Sequence, residues 1–260
     1  MLFWLESRDN ELDIDVAILK DNINHNFQHT YSVLDINEAN DYLDSMSDII
    51  KNVIPVGTID FVGQFLNKVH GVKTMNPIEV PDVLRQYRYL KRKYSIVDRS
   101  ELPAEGYYFT KYVSKLKVFT HIGLIETLRD TADNNVPFLQ DGLYQVSEVV
   151  DILAEYRCFV HNDNLVAINY YDGDCTVFPD VSLIKTMISN YMLDGSRPKA
   201  YTMDIAVIKN RGTAILEVHP WVSVGLYGYM FGSSLPYCYR DGLYYYIICN
   251  KEIKKWSNFA

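Results

Sequence analysis

The sequence contains no run of about eighteen apolar residues, the minimum for a membrane-spanning helix. Cysteine is scarce. Cys158, Cys175, Cys238 and Cys249 form neither a CxxC pair nor a spacing with histidine suited to zinc, and 260 residues can bury a core that needs no disulfide staples. Free thiols in a reducing compartment are the expectation. The opening MLFWLESRDNELDID has no basic flank and no small-residue cleavage site, so a soluble, intracellular and cytoplasmic protein is expected. Internal repeats and low-complexity tracts are absent. An excess of basic charge is absent too: the formal net charge is −8, and residues 1–50 hold eleven acids against Arg8 and Lys20, leaving twenty-two acids against twenty-three bases in the remainder. Tight non-specific binding to nucleic acid draws on phosphate neutralisation by Lys and Arg, so there is no strong nucleic-acid signal. A small-molecule, amino-acid or peptide substrate fits better, with no membrane partner and no oligomeric state specified.

What is present is an ordinary apolar content of 48% arranged as alternating strand and helix patterns. Strands are expected near LFWLE, DIDVAIL and TYSVLD, followed by a helix over EANDYLDSMSDIIKNV, giving a small α/β layer. In IPVGTIDFVGQFLNKVHG, Val56 and Gly57 end a strand and Thr58 caps a helix that begins at Ile59. Pro77 and Pro81 mark a linker. PDVLRQYRYLKRKYS reads as a short helix carrying Arg85, Arg88 and Arg92, ordinarily a solvated face. Strands SIVD, YYFTKYV and KVFTHI and a helix GLIETLRDTAD follow, then strands at LYQVSEVV, EYRCFV and LVAINYY, a helix VSLIKTMISNYML, and a helical tail. Most of the twenty-one tyrosines, interleaved with Val and Ile, read as strand and core residues rather than a stacking platform.

The stretch YTMDIAVIKNRGTAILEV forms a hairpin around Asn210-Arg211-Gly212, with Asp204 and Glu217 thirteen residues apart on its two strands. Each acid lies inside an apolar run, where an unpaired charge is costly. Two neighbouring buried carboxylates repel unless a cation or proton lies between them, and oxygen ligands of this kind select Mg²⁺. The alternative is that both acids lie on solvated strand faces.

In order and spacing, Lys111 in GYYFTKYVSKLKVF, Glu148 and Glu155 in YQVSEVVDILAEYRCFV, and the Asp204–Glu217 hairpin followed by HPWVSVGLYG resemble the ATP-grasp superfamily of carboxylate–amine ligases. The likeness covers roughly residues 54–230 and is greatest to a phage-associated ATP-grasp clade. It implies an α+β (α/β) fold in which two α+β lids clasp ATP: an N-terminal pre-grasp domain over 1–80, then a grasp domain over 81–260 with a first lid at about 94–146 and a second at about 147–260. It implies ATP and Mg²⁺, or Mn²⁺, as cofactors. A phage-encoded protein of this kind would act in the host cytoplasm.

The resemblance also implies roles. Lys111 contacts the α- and β-phosphates and Lys117 the nearby phosphate loop; Glu148, Val149 and Val150 form the adenine hinge, and Glu155 binds the ribose. Arg157, on the same strand face as Glu155, holds the transferring phosphoryl group, or forms a salt bridge with Glu155 or Asp204. Asp204 and Glu217 hold metal, and His219, where the family has asparagine, either replaces it as a metal ligand or leaves the second metal site weaker. Lys111, Arg157 and Glu217 are the catalytic candidates. Gly57, Arg197, Lys199, Ser223 and Tyr227 are candidates for the substrate, and Lys91 and Arg88 for phosphate. For Gly57 a plain strand–helix connector, for Lys111 an exposed strand lysine and for Glu148 a surface acid remain open. The implied activity is amide formation through an acyl-phosphate. A kinase-like phosphotransferase and a degenerate nucleotide-binding regulatory module are the alternatives.

Overall fold

The computed structural model describes residues 1–25, 28–46, 50–116, 120–125, 140–229 and 232–257. Three four-stranded sheets organise them. In the first, β1 (Leu2–Arg8) lies between β3 (Thr30–Leu34) and β4 (Val53–Val56), parallel to both, and β2 (Glu11–Leu12) turns back antiparallel on its end. Helices α1 (Ile14–Asn24), α2 (Ile36–Met46) and α3 (Ile59–His70) connect or follow these strands. The expected strand at DIDVAIL is instead the start of α1. The Asp13 carboxylate accepts from the Asp15 amide as an N-cap, and Val16, Leu19 and Ile23 bury one helical stripe, so 3.6-residue periodicity prevails over the short alternation. Thr58 caps α3 as expected, its hydroxyl accepting from the Phe61 amide.

The expected helix over 81–95 is shorter: a 3-10 turn at Asp82–Leu84 and a single turn, α4 (Tyr87–Leu90), closed by Lys91 in a left-handed conformation. The second sheet is antiparallel in the order β5 (Tyr94–Asp98), β8 (Leu143–Glu148), β6 (Tyr107–Tyr112), β7 (Thr120–Leu124). β7 takes in Gly123 and Leu124, where the helix GLIETLRDTAD was expected to begin; most of that expected helix lies outside the described residues. The third sheet, also antiparallel, runs β10 (Asn164–Gly173), β9 (Ile152–His161), β11 (Ala200–Ile208), β12 (Gly212–Pro220), backed by α5 (Val181–Tyr191) with Asp180 as N-cap. This is the α+β architecture expected from the sequence.

The long tail helix α6 (Leu235–Ser257) packs differently from expectation. Leu235, Cys238, Leu243 and Tyr246 share one core with Phe3, Leu5 and Leu19 of the first layer, so the C-terminal helix buttresses the N-terminal layer rather than a lid alone. Trp221, fully buried in the same core, explains the glycine at 242: a Cβ there would sit 2.2 Å from the Trp221 carbonyl oxygen.

Candidate active site

The registers of the third sheet set Asp204 opposite Arg157 on one side and opposite Glu217 on the other. Asn169 of β10 continues this polar row beyond Arg157. The row depends on a β-bulge. Below it Ile205 pairs with Ile215, and an unbroken ladder would then set Asp204 opposite Leu216, with Glu217 on the other face. The extra residue turns Glu217 to the side of Asp204, a common use of bulges beside active sites.

Asp204 is only 6% exposed, and both its oxygens are engaged. Arg157 donates from Nε to Oδ1 at 2.8 Å and from Nη2 to Oδ2 at 2.7 Å, the fork geometry that suits a guanidinium to a carboxylate. Of the two salt bridges the sequence left open for Arg157, the structure forms the one with Asp204. Arg157 Nη1 donates to the Gly225 carbonyl at 3.1 Å, and the guanidinium lies 4.8 Å over the Tyr227 ring, which is itself stacked on Tyr171. The Glu217 carboxylate accepts from Lys111 Nζ at 2.6 Å, across the gap between the two antiparallel sheets. His219 Nε2 lies 3.0 Å from Glu217 Oε2 and 3.4 Å from Asp204 Oδ2.

Electrostatics follow from that packing. Burial alone would raise the pKa of Asp204, but hydrogen bonds from Arg157 and His219 bring it below its ordinary value. Glu217 is likewise lowered, against burial, by His219 and Lys111. Burial would lower His219, yet the two carboxylates raise it, favouring the imidazolium. One ligand atom from each of Asp204, Glu217 and His219 lies within 4.8 Å of the others, so a divalent cation bound among them would have to displace the histidine proton.

Asp204 and Glu217 of this row line a cleft of about 280 Å³ between the two antiparallel sheets. Phe109 and Ile122 line it from one sheet, Leu216 from the other, and Val149 and Val150 from the hinge between β8 and β9. Among the described residues the peptide groups of Val149 and Val150 make no internal hydrogen bond, which leaves flat apolar contact and backbone polar groups together at the hinge. Glu155 reaches the cleft and accepts from the Tyr171 hydroxyl, while burial holds its pKa above the usual carboxylate value. Glu148, the last residue of β8, accepts from Arg211 at 2.6 and 3.1 Å and from the Lys93 amide at 3.2 Å. Arg211 also donates to the Lys91 carbonyl at 2.8 Å, so a residue of the β11–β12 turn fastens the hinge.

Other expected residues are placed elsewhere. Arg197 forms a forked pair with Asp163 at 2.6 Å on both nitrogens, beside the β9–β10 turn, and Lys199 is exposed nearby with its carbonyl accepting from the Asn162 amide. Neither lines the cleft. Arg88 stacks on Tyr89 at 4.4 Å, and the Lys91 side chain is not a cleft residue. Lys117 lies outside the described residues. The basic residue that does enter from this segment is Arg92, missed in the sequence. It is 5% exposed and donates to the carbonyls of Leu90, Ile215 and Leu216 at 3.2, 2.6 and 3.1 Å. Its only signal was its place in the Arg85, Arg88, Arg92 series, which reads as a surface stripe. Gln145, also buried and in the cleft, pairs across the sheet with Lys111 and carried no signal at all.

Gly57, Ser223 and Tyr227 come together around a second cavity of about 370 Å³. Tyr227 lies beneath the Arg157 guanidinium and is stacked on Tyr171, which lines the first cleft.

The fold agrees with comparisons to known proteins. The chain resembles D-alanine–D-alanine ligase from Bacillus anthracis with a TM-score of 0.56 and 10% identity, over 98% of each chain. The same ligase solved with ATP aligns with a TM-score of 0.52 and 11% identity, over 98% of this chain and 97% of that one. No match was found among curated proteins. Residues 89–233, which hold the second and third sheets and every residue of the polar row, match the model of an ATP-grasp domain family, the second family of its clade, and the chain belongs to that ATP-grasp family.

Proposed function

We propose that this protein is an ATP-dependent ligase that activates a carboxylate as an acyl-phosphate and joins it to an amine. The observation that carries this reading is the meeting of Lys111 from one sheet with Arg157, Asp204, Glu217 and His219 from the other, beside an apolar cleft that the hinge also lines. Membership of an ATP-grasp family and the likeness to a ligase solved with ATP support a nucleotide in that cleft.

The donor set fits a divalent cation. Two carboxylates and one imidazole within 4.8 Å suit Mg²⁺ or Mn²⁺, which would take the place held by the His219 proton and the Lys111 ammonium. Asp204, Glu217 and His219 would hold the ion, which supplies charge stabilisation to the transferring phosphoryl group. The chain's own residues do the positioning. Val149 and Val150 meet the adenine, Glu155 accepts from ribose hydroxyls, and Lys111 exchanges Glu217 for phosphate oxygens. Arg157, fixed by Asp204 and Gly225, directs its remaining N–H groups at the reacting oxygens. A substrate carboxylate oxygen bonds to the γ-phosphorus as the bond to the bridging oxygen breaks and ADP leaves. The amine nitrogen then bonds to the acyl carbon, phosphate leaves, and the nitrogen gives its proton to solvent.

The test is a pooled amino-acid and metabolite screen for ADP and phosphate release, with products read by mass spectrometry. ADP release that needs both a carboxylate and an amine is expected. Release without any amine would identify a phosphotransferase, and no release from any pool would favour a regulatory nucleotide-binding module.

A further inference from the structure

Two neutral polar side chains face the cleft without a partner. β8 is a central strand of the second sheet, paired to β5 and β6 on its two edges, so its side chains alternate between the faces of the sheet. Tyr144 and Val146 enter the apolar core on one face, with Leu102, Tyr112 and Ile125. Gln145 and Ser147 point the other way and line the cleft, Gln145 opposite Lys111 and Ser147 opposite Phe109 across the β6 ladder. They are 5% and 3% exposed. Among the described residues neither side chain has a hydrogen-bond partner. A buried amide left unpaired costs stability, and the apolar roof that Phe109 and Ile122 make beside it needs none. Such a cost persists where a ligand supplies the missing bonds.

The place of Gln145 in the chain indicates which part of a ligand it meets. Gln145 and Ser147 lead directly to the hinge residues Val149 and Val150, so a flat ring held by the hinge peptide groups presents its next edge to β8. Phosphate charge has Lys111 and Arg157 to meet it, whereas a neutral amide suits an uncharged ring. Glu148, the acid at the hinge, has Oε1 taken by Arg211 at 2.6 Å and Oε2 by Arg211 at 3.1 Å and the Lys93 amide at 3.2 Å, which leaves little of it for an amino group on the ring. The Gln145 amide carries an acceptor oxygen and two N–H donors. That set matches the N6 amino group and N7 of adenine, which a glutamine meets bidentately, while guanine offers O6 and N7, two acceptors.

We infer that Gln145 selects adenine, its carbonyl oxygen accepting from the N6 amino group and its amide N–H donating to N7. The inference rests on the reading of the cleft as a nucleotide site; the choice of residue and of ring edge rests on the unpartnered amide beside the hinge.

The test is calorimetric titration of the full chain, as wild type and Gln145→Met, with Mg²⁺ and one of ATP, 7-deaza-ATP or GTP, together with thermal unfolding of both chains without nucleotide. 7-deaza-ATP replaces N7 by carbon and keeps the rest of the molecule; methionine fills much the same volume as glutamine without its amide. The wild type is expected to bind ATP about tenfold more tightly than 7-deaza-ATP, the scale of one hydrogen bond to a buried group, and to discriminate against GTP as well. Gln145→Met should bind ATP about tenfold or more weakly than wild type, bind ATP and 7-deaza-ATP alike, and show a smaller preference for ATP over GTP. Without nucleotide the variant should melt at or above wild type, because it removes an unpaired buried amide. Equal binding of ATP and 7-deaza-ATP by the wild type, which is read without any variant, would overturn the inference. So would a preference for ATP over 7-deaza-ATP retained in Gln145→Met, or a variant that melts well below wild type, since the amide would then serve the fold. Each of these results leaves the nucleotide reading standing as long as ATP binds. Binding of none of the three nucleotides to the wild type would overturn that reading and this inference together.

Discussion

Replacing Arg157 with methionine removes the charge and keeps most of the stem, and the structure sets what this costs. The side chains of Arg157 and Asp204 are 10% and 8% exposed, so the variant leaves a carboxylate that water cannot easily reach. Removing one partner of such a pair costs about 3–5 kcal/mol. His219, 3.4 Å from the same carboxylate, still compensates part of the charge, which places the loss near ~3 kcal/mol at the low end of that range. For a chain of this size each kcal/mol lowers the melting temperature by about 2–4 °C, so Arg157→Met should melt roughly 6–12 °C below wild type. The assay is thermal unfolding followed by circular dichroism. The double variant Arg157→Met/Asp204→Leu should lose less than the sum of its single variants, since it removes both charges together. An Arg157→Met chain melting with the wild type, or full additivity in the double variant, would refute the view that the two side chains form one buried unit.

Lys111→Ala should weaken ATP affinity, measured by calorimetry, while Glu217→Gln should keep the fold but lose roughly 10²-fold in turnover, as when one preorganised electrostatic group is removed. Full turnover by Glu217→Gln would make the hairpin acids structural. The Glu148–Arg211 contact has its own pH signature. Arg211 holds the Glu148 carboxyl down at about 2 in the fold against a reference value of 4.5. A lowered folded value means that the contact stabilises fully above the unfolded pKa and fades as pH falls from 4.5 toward 2. The stability gap between wild type and Arg211→Met in denaturant melts should therefore be constant near neutrality and narrow below pH 4.5; a gap that widens with acid would contradict it.

Sequence reading succeeded where a short local signal fixed the geometry. The turn at Asn210-Arg211-Gly212 determines which strands pair, so Asp204 and Glu217 could be brought near each other from the chain alone. The bulge that sets them on one face carried no comparable signal. Thr58 and the helix after it were legible because an N-cap is a local device, whereas DIDVAIL misled because seven residues can satisfy a period of two before a helical stripe declares itself at Leu19 and Ile23. Residues whose role is made by distant contacts were not legible. Arg92 is buried by β12 carbonyls more than a hundred positions away. Arg197 and Lys199 failed for the converse reason: nearness in sequence to the β11 strand placed them at its far end, where Asp163 takes the arginine.

The central claim, that Asp204, Glu217 and His219 hold a divalent cation against a nucleotide in the cleft beside Lys111, is tested most directly by calorimetric titration of ATP into the full chain with Mg²⁺ and again with chelator. Saturable binding with Mg²⁺ that is lost or strongly weakened with chelator is the expected result. Equal affinity under both conditions, or no binding under either, would contradict it.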